Sequence, residues 1–194
     1  MELTFDAREF LSDSVTVMRN PVLFYKKIEK EKEWKPALVF SIAIAIVSSI
    51  FGILQLTLLY PVFKNVFGDL IADVGKPQIL DILPAFFMST IVVILLGFVW
   101  SLILHGWLKV WKLNGTFWDA YKAFAYSRVP LSCFGWSPVV GGWFGIYRIY
   151  ILAVGSSIHY KTTRLKAVLL LVPLLFVLFL IQAFLFGLLT ASPT

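Results

Sequence analysis

"YSRVPLSCFGWSPVVGGW", residues 126–143, is the stretch on which the fold turns. It contains Arg128, Pro130 and Pro138, and Arg148 follows five residues after its end, in a chain that is 59% apolar. The surrounding region, Phe117–Gly155, holds thirty-nine residues and is broken near its middle by "GWSP" at 135–138. Two helices of roughly eighteen residues fit there, joined by a tight turn, each just long enough to cross hydrocarbon. A re-entrant hairpin that dips and returns is the competing reading, because both arms are short and glycine-rich. Two crossings, at about 117–135 and 138–155, are expected here.

Working outward, three longer runs need no such choice. "PALVFSIAIAIVSSIFGILQLTLLY" (36–60) and "AVLLLVPLLFVLFLIQAFLFGLLTA" (167–191) carry no charge, and "ILPAFFMSTIVVILLGFVWSLILHGW" (82–107) has only His105. Each exceeds the roughly twenty residues a helix needs to span about 30 Å of hydrocarbon. The expectation is therefore an all-α bundle of five membrane spans, at about 36–60, 82–108, 117–135, 138–155 and 167–191. Only 14% of the 194 residues are charged and mean hydropathy is +0.85. A soluble domain carries roughly 25% charge, so lipid is the better solvent for this surface.

The location of the net charge of +6 sets orientation and partners. Arg8, Arg19, Lys26, Lys27, Lys30, Lys32 and Lys35 precede the first span; Lys109, Lys112 and Lys122 follow the second; Lys161, Arg164 and Lys166 precede the last. Only Lys64 and Lys76 lie between the first two spans. Five spans put every basic-rich segment on one side, with a cytosolic N-terminus. A re-entrant hairpin keeps its flanks on that same side, so charge does not separate the two topologies. No basic stretch interleaved with stacking aromatics stands apart from the spans, which excludes nucleic acid and leaves anionic lipid headgroups as partner. Trp34, Trp107, Trp111 and Trp118 fall near the expected cytosolic ends, as an aromatic belt requires.

Residues 1–35 read as a cytosolic, amphipathic helical segment ahead of a transmembrane domain at 36–194. "MELTFDAREF" lacks a basic leader region, so no cleavable signal is expected and the first span should drive insertion. Asp6 is placed to cap a helix with Glu9 at its third position, and Asn20–Pro21 restarts one. Leu23, Phe24, Ile28 and the neighbouring lysines suggest a helix lying on headgroups, with a solvated linker as the plainer reading.

Arg128 falls near the middle of the third expected span and Arg148 near the middle of the fourth. A buried arginine costs at least about 2.5–3.5 kcal/mol on insertion scales, so partners are required. One reading has the pair cross-linking the bundle through backbone carbonyls, Tyr126, Tyr147 and Asp81. Pro130 supports it, since proline leaves the carbonyl of Tyr126 without its helical donor. The other reading makes the pair an intramembrane site for a small anion or a lipid phosphate. Snorkelling of Arg148 to the cytosolic surface is a third. Asp119, nine residues before Arg128, falls on the opposite helix face.

Helix-packing signals are the ladder Ser41, Ala45 and Ser49, the pair Ala123 and Ser127, and the pair Gly141 and Gly145. The last span, rich in leucine and phenylalanine with Pro173 as a kink, is expected at the lipid-facing periphery. Catalytic signals are poor. One cysteine, Cys133, excludes an internal disulfide and a cysteine zinc cluster; His105 and His159 have no acid at metal-ligand spacing. Ser127 has no base, and no acid pair lies at membrane depth. Neither metal nor cofactor is expected, and the chain reads as a non-enzyme.

Two segments carry a family resemblance. "WKLNGTFWDAYKAFAYSRVP" (111–130) has Gly115 followed by the aromatic Phe117, then Ala125-Tyr126-Ser127 with Pro130 three residues on. "GGWFGIYRIYILAVGSSIHYKTTRLKAVLLLVP" (141–173) ends an aromatic-rich helix at His159 and opens the last with Arg164 and Ala167. Both resemble the Yip family of multi-span membrane proteins, named for interaction with Ypt/Rab GTPases, and "NPVLFYKKIEKEKEWKPAL" (20–38) resembles its prokaryotic members. The resemblance implies five spans, a cytosolic N-terminal region and a prokaryotic plasma membrane location. In eukaryotic members it implies vesicle traffic and Rab binding. The Asp-Leu-Tyr-Gly-Pro motif of their N-terminal regions has no counterpart here, so Rab-type GTPase binding does not carry over. The functional expectation is action through contacts with lipids, other membrane proteins or further copies of itself, with anion or anionic-lipid transport through Arg128 and Arg148 as the alternative.

Overall fold

The computed structural model describes residues 5–31, 33–67, 79–135 and 138–190, and these are helical with no strand among them. The order is α1 (Ala7–Arg19), α2 (Pro21–Glu29), α3 (Lys35–Phe67), α4 (Ile79–Val110), α5 (Phe117–Ser127), α6 (Val129–Phe134), α7 (Pro138–His159) and α8 (Arg164–Thr190). Lys35–Gln55 of α3 and Ile82–Val110 of α4, each with mean hydropathy 2.6, are long and apolar enough to cross a membrane. Only 11% of the α4 stretch is buried, which leaves Leu95, Val99 and Leu102 on an open apolar face. A soluble protein would hide such a helix; a bilayer solvates it.

Local chemistry sets the helix ends as the sequence indicates. Asp6 accepts from the backbone N–H groups of Arg8 (2.8 Å) and Glu9 (3.4 Å), and Asn20 from that of Leu23 (3.1 Å). A capping box opens α5: Thr116 Oγ1 accepts from the N–H of Asp119, whose carboxylate accepts from the N–H of Thr116 at 2.7 Å. α4 and α7 end alike. Lys112 (φ 57°) and Lys161 (φ 51°) adopt the left-handed conformation, and the next residue's N–H bonds back across the last turn, Leu113 to Leu108 and Thr162 to Ser157.

The N-terminal segment departs from a helix resting on headgroups. Val17, Phe24, Tyr25 and Ile28 are fully buried and share one core with Phe40 and Ile44 of α3, Tyr121 and Tyr126 of α5, and Ile151 and Val154 of α7. Tyr25 donates to the carbonyl of Ala123 at 3.0 Å. Its ring lies where a Cβ on Gly155 would come within 2.6 Å, so only glycine admits this approach. Leu23, expected on the same apolar face, is 58% exposed because α2 turns Phe24 and Ile28 inward instead. Lys122, counted with the basic loop residues, is buried and donates its ammonium to the carbonyl of Glu31.

Small residues permit close helix packing on α3 and α5. Ser41, Ala45 and Ser49 are buried, as are Ala123 and Ser127. Thr90 of α4 bonds Ser49 at 3.0 Å, and Ser48 of α3 bonds Ser132 of α6 at 2.6 Å, so hydroxyls link three helices. Gly141 approaches the backbone of Gly135, whereas a Cβ on Gly145 would meet nothing within 4 Å, so no close helix approach depends on it. α8 packs against α7 through Ala167, Leu170, Leu171 and Leu174 and exposes Leu169, Val172 and Phe176, the peripheral position expected of it.

Candidate functional site: an arginine cavity

Pro130 lacks an N–H, and the helix that begins at Phe117 stops at Ser127 and restarts at Val129. Arg128 is the joint. Its backbone N–H points to the carbonyls of Ala125 and Tyr126, so the Tyr126 carbonyl is served by this backbone group and not by the guanidinium. The guanidinium reaches across to α4, where Nη1 lies 3.5 Å from the carbonyl oxygen of Val93, a long contact. Arg148 of α7 lays its guanidinium over the ring of Phe124, 5.1 Å from the centroid.

Both arginines line one cavity of about 410 Å³, with Ser48, Gly52 and Gln55 of α3, Gly97 and Trp100 of α4, and Ser132 of α6. Arg128 lies eleven residues from the start of α5 and Arg148 eleven from the end of α7. Those two helix ends meet, since Asp119 and His159 approach to 3.7 Å. At 1.5 Å per residue both arginines then sit roughly 16 Å along their helices from the same end of the bundle. Arg148 turns inward over Phe124, which argues against snorkelling.

The other residues grouped with the pair lie elsewhere. Tyr126 packs between Phe24 (4.7 Å) and Phe40 (4.5 Å), on the face toward α2 and α3. Tyr147 donates to the carbonyl of Met18 in α1. Neither lines the cavity, because each aromatic is claimed by the N-terminal helices. The side chain of Asp81 lies outside the described residues, as does that of Pro138. Along α4, Asp81 stands twelve residues from Val93, about 18 Å of axis. Among the described residues neither arginine has a carboxylate partner. Sequence reasoning missed Ser48, Gln55, Gly97 and Trp100; Gln55, a lone amide in a twenty-five-residue apolar run, was the available signal.

A family model of the Yip1 domain matches residues 15–186, nearly the whole bundle from mid-α1 to late α8. The chain belongs to the Yip1 domain family. Searches of curated proteins and of solved structures give no match. With its open apolar helices, family membership makes this a membrane protein.

In this Yip1 domain two of the motif residues are packed closely. A Cβ on Gly115 would come within 2.6 Å of the Tyr160 ring, and Ser127 donates to the carbonyl of Phe124 at 2.8 Å in full burial. A second polar cluster joins the meeting ends of α4, α5 and α7. Tyr160 donates to the carbonyl of Thr116 (3.2 Å) and stands 2.7 Å from His105 Nδ1. The His159 imidazole is buried, with Nδ1 3.7 Å from the Asp119 carboxyl group. The spacings, 116–119 and 159–160, are too far apart in sequence to announce this cluster. Among the described residues no group of three or more His, Cys, Asp or Glu is placed to hold a metal.

Proposed function

We propose that this Yip1-domain protein crosses the membrane five times with its N-terminus in the cytosol, and acts without catalysis through contacts with anionic lipids or neighbouring membrane proteins, further copies of itself included. A prokaryotic plasma membrane is the proposed setting. The observation that carries the reading is α4, whose crossing stretch is hydrophobic and leaves one apolar face, with Leu83, Phe87, Leu95, Val99 and Leu102, exposed while the other packs on the bundle. Basic residues at the helix ends and loops flanking the spans, Lys109, Lys161, Arg164 and Lys166 among them, favour an anionic leaflet on that side. A photo-crosslinking amino acid at Leu95 or Val99, activated in native membranes, should give one discrete protein adduct or a defined lipid adduct. A diffuse smear indistinguishable from that of a simple single-span control would defeat the contact reading.

A second reading, passage of a small anion or an anionic lipid, is favoured by the two arginines that share the mid-depth cavity. Flux or lipid scrambling in proteoliposomes that disappears in the Arg128→Gln, Arg148→Gln double variant would support it. Equal leak with and without wild-type protein would end it.

A further inference from the structure

The geometry points to a holding site for a phosphate group in the cavity between α3, α4, α6 and α7, gripped by the guanidinia of Arg128 and Arg148. Each guanidinium carries five N–H donors and is always charged. Arg128 places one of them near a carbonyl, at 3.5 Å, and Arg148 has no hydrogen-bond acceptor among the described residues, only the face of Phe124. Two cations at the same depth, without a carboxylate, repel one another unless an anion lies between them. Ser132 accepts from Ser48 and so keeps its own O–H to donate into the same space.

The chemistry selects phosphate over carboxylate. Arginine forks bind oxyanions in bidentate fashion, and a carboxylate's two oxygens fill one fork. A phosphate group offers oxygens to both forks and one more to a hydroxyl. The cavity, about 410 Å³, falls within the roughly 300–1,000 Å³ of small-molecule sites and exceeds the needs of a bare ion. The phosphate can therefore belong to a lipid headgroup or be free. This inference rests on the membrane-embedded bundle proposed above and on no partner protein, so a failed crosslink from α4 leaves it standing and the reverse holds too.

The test uses full-length protein stripped of lipid in an uncharged maltoside detergent and phosphate-free buffer. Phosphatidylglycerol in mixed micelles, inorganic phosphate and a neutral diacylglycerol glycolipid are titrated by calorimetry. Gly52→Phe is the companion to the Arg128→Gln, Arg148→Gln double variant. A Cβ at Gly52 meets nothing within 4 Å, so the phenyl group enters the cavity while both arginines remain. Wild type should bind at least one phosphate probe saturably and ignore the glycolipid. Both variants should weaken that binding about tenfold or more, the scale of losing charged hydrogen bonds. Binding of phosphatidylglycerol alone assigns the phosphate to a lipid; inorganic phosphate competing with it admits the free anion as well. Absence of saturable binding of either phosphate probe overturns the site. So does equal binding in Gly52→Phe, which isolates the cavity even if the double variant fails to fold.

Discussion

Arg148→Met should make the lipid-stripped protein more stable, not less. In the five-span arrangement proposed here Arg148 lies at mid-depth, where an arginine costs at least about 2.5–3.5 kcal/mol on insertion scales. Against this the structure sets one contact, the Phe124 ring at 5.1 Å, a cation–π arrangement worth about 0.5–2 kcal/mol. Among the described residues no carbonyl, hydroxyl or carboxylate accepts from the guanidinium. The difference leaves a net cost of roughly 0.5–3 kcal/mol that methionine, unbranched and uncharged, removes while keeping the packing on Phe124. For a chain of this length that is a rise of about 1–12 °C in midpoint. The assay is thermal unfolding in maltoside detergent without phosphate, followed by tryptophan fluorescence. Arg128→Met should gain less, because Nη1 of Arg128 has the Val93 carbonyl within reach. A fall of several degrees in Arg148→Met would show that the arginine fastens the bundle, and the reasoning behind the site would fail.

Two further outcomes follow from the packing. Gly155→Ala should cost about 1–3 kcal/mol, because its Cβ meets the fully buried Tyr25 ring at 2.6 Å; an unchanged midpoint would contradict that close approach. Lys161→Gly should raise stability by about 1 kcal/mol, since a left-handed φ of 51° penalises a side chain, and a lower midpoint would count against the turn.

Much of the helical layout was legible because hydropathy and proline act locally. The uncharged runs became α3, α4 and α8, Asp6 and Asn20 cap the helices they were expected to cap, and Pro130 breaks the chain at Arg128. Arg128 and Arg148 announced themselves as charges in apolar sequence, and the structure brings them to one cavity. Their surroundings were not legible. Tyr126 and Tyr147, near the arginines in sequence, are turned away by contacts with Phe24, Phe40 and Met18 that come from the first forty residues. The amphipathic pattern of α2 could not say whether its apolar face meets lipid or protein, since Phe24 and Ile28 satisfy either. The Asp119, His159 and Tyr160 cluster joins positions about forty residues apart, which no local period records.

The proposed mid-membrane position of Arg128 and Arg148 requires residues 117–135 and 138–155 to cross the membrane as two spans, and labelling tests this directly. In a Cys133→Ala background, Ser137→Cys and Asn114→Cys would be exposed to a membrane-impermeant maleimide in sealed cells and in inverted vesicles. Two crossings predict that position 137 labels from outside and position 114 from the cytosolic side. Labelling of both positions from the cytosolic side only would make the hairpin re-entrant, and would take Arg128 and Arg148 out of the middle of the membrane.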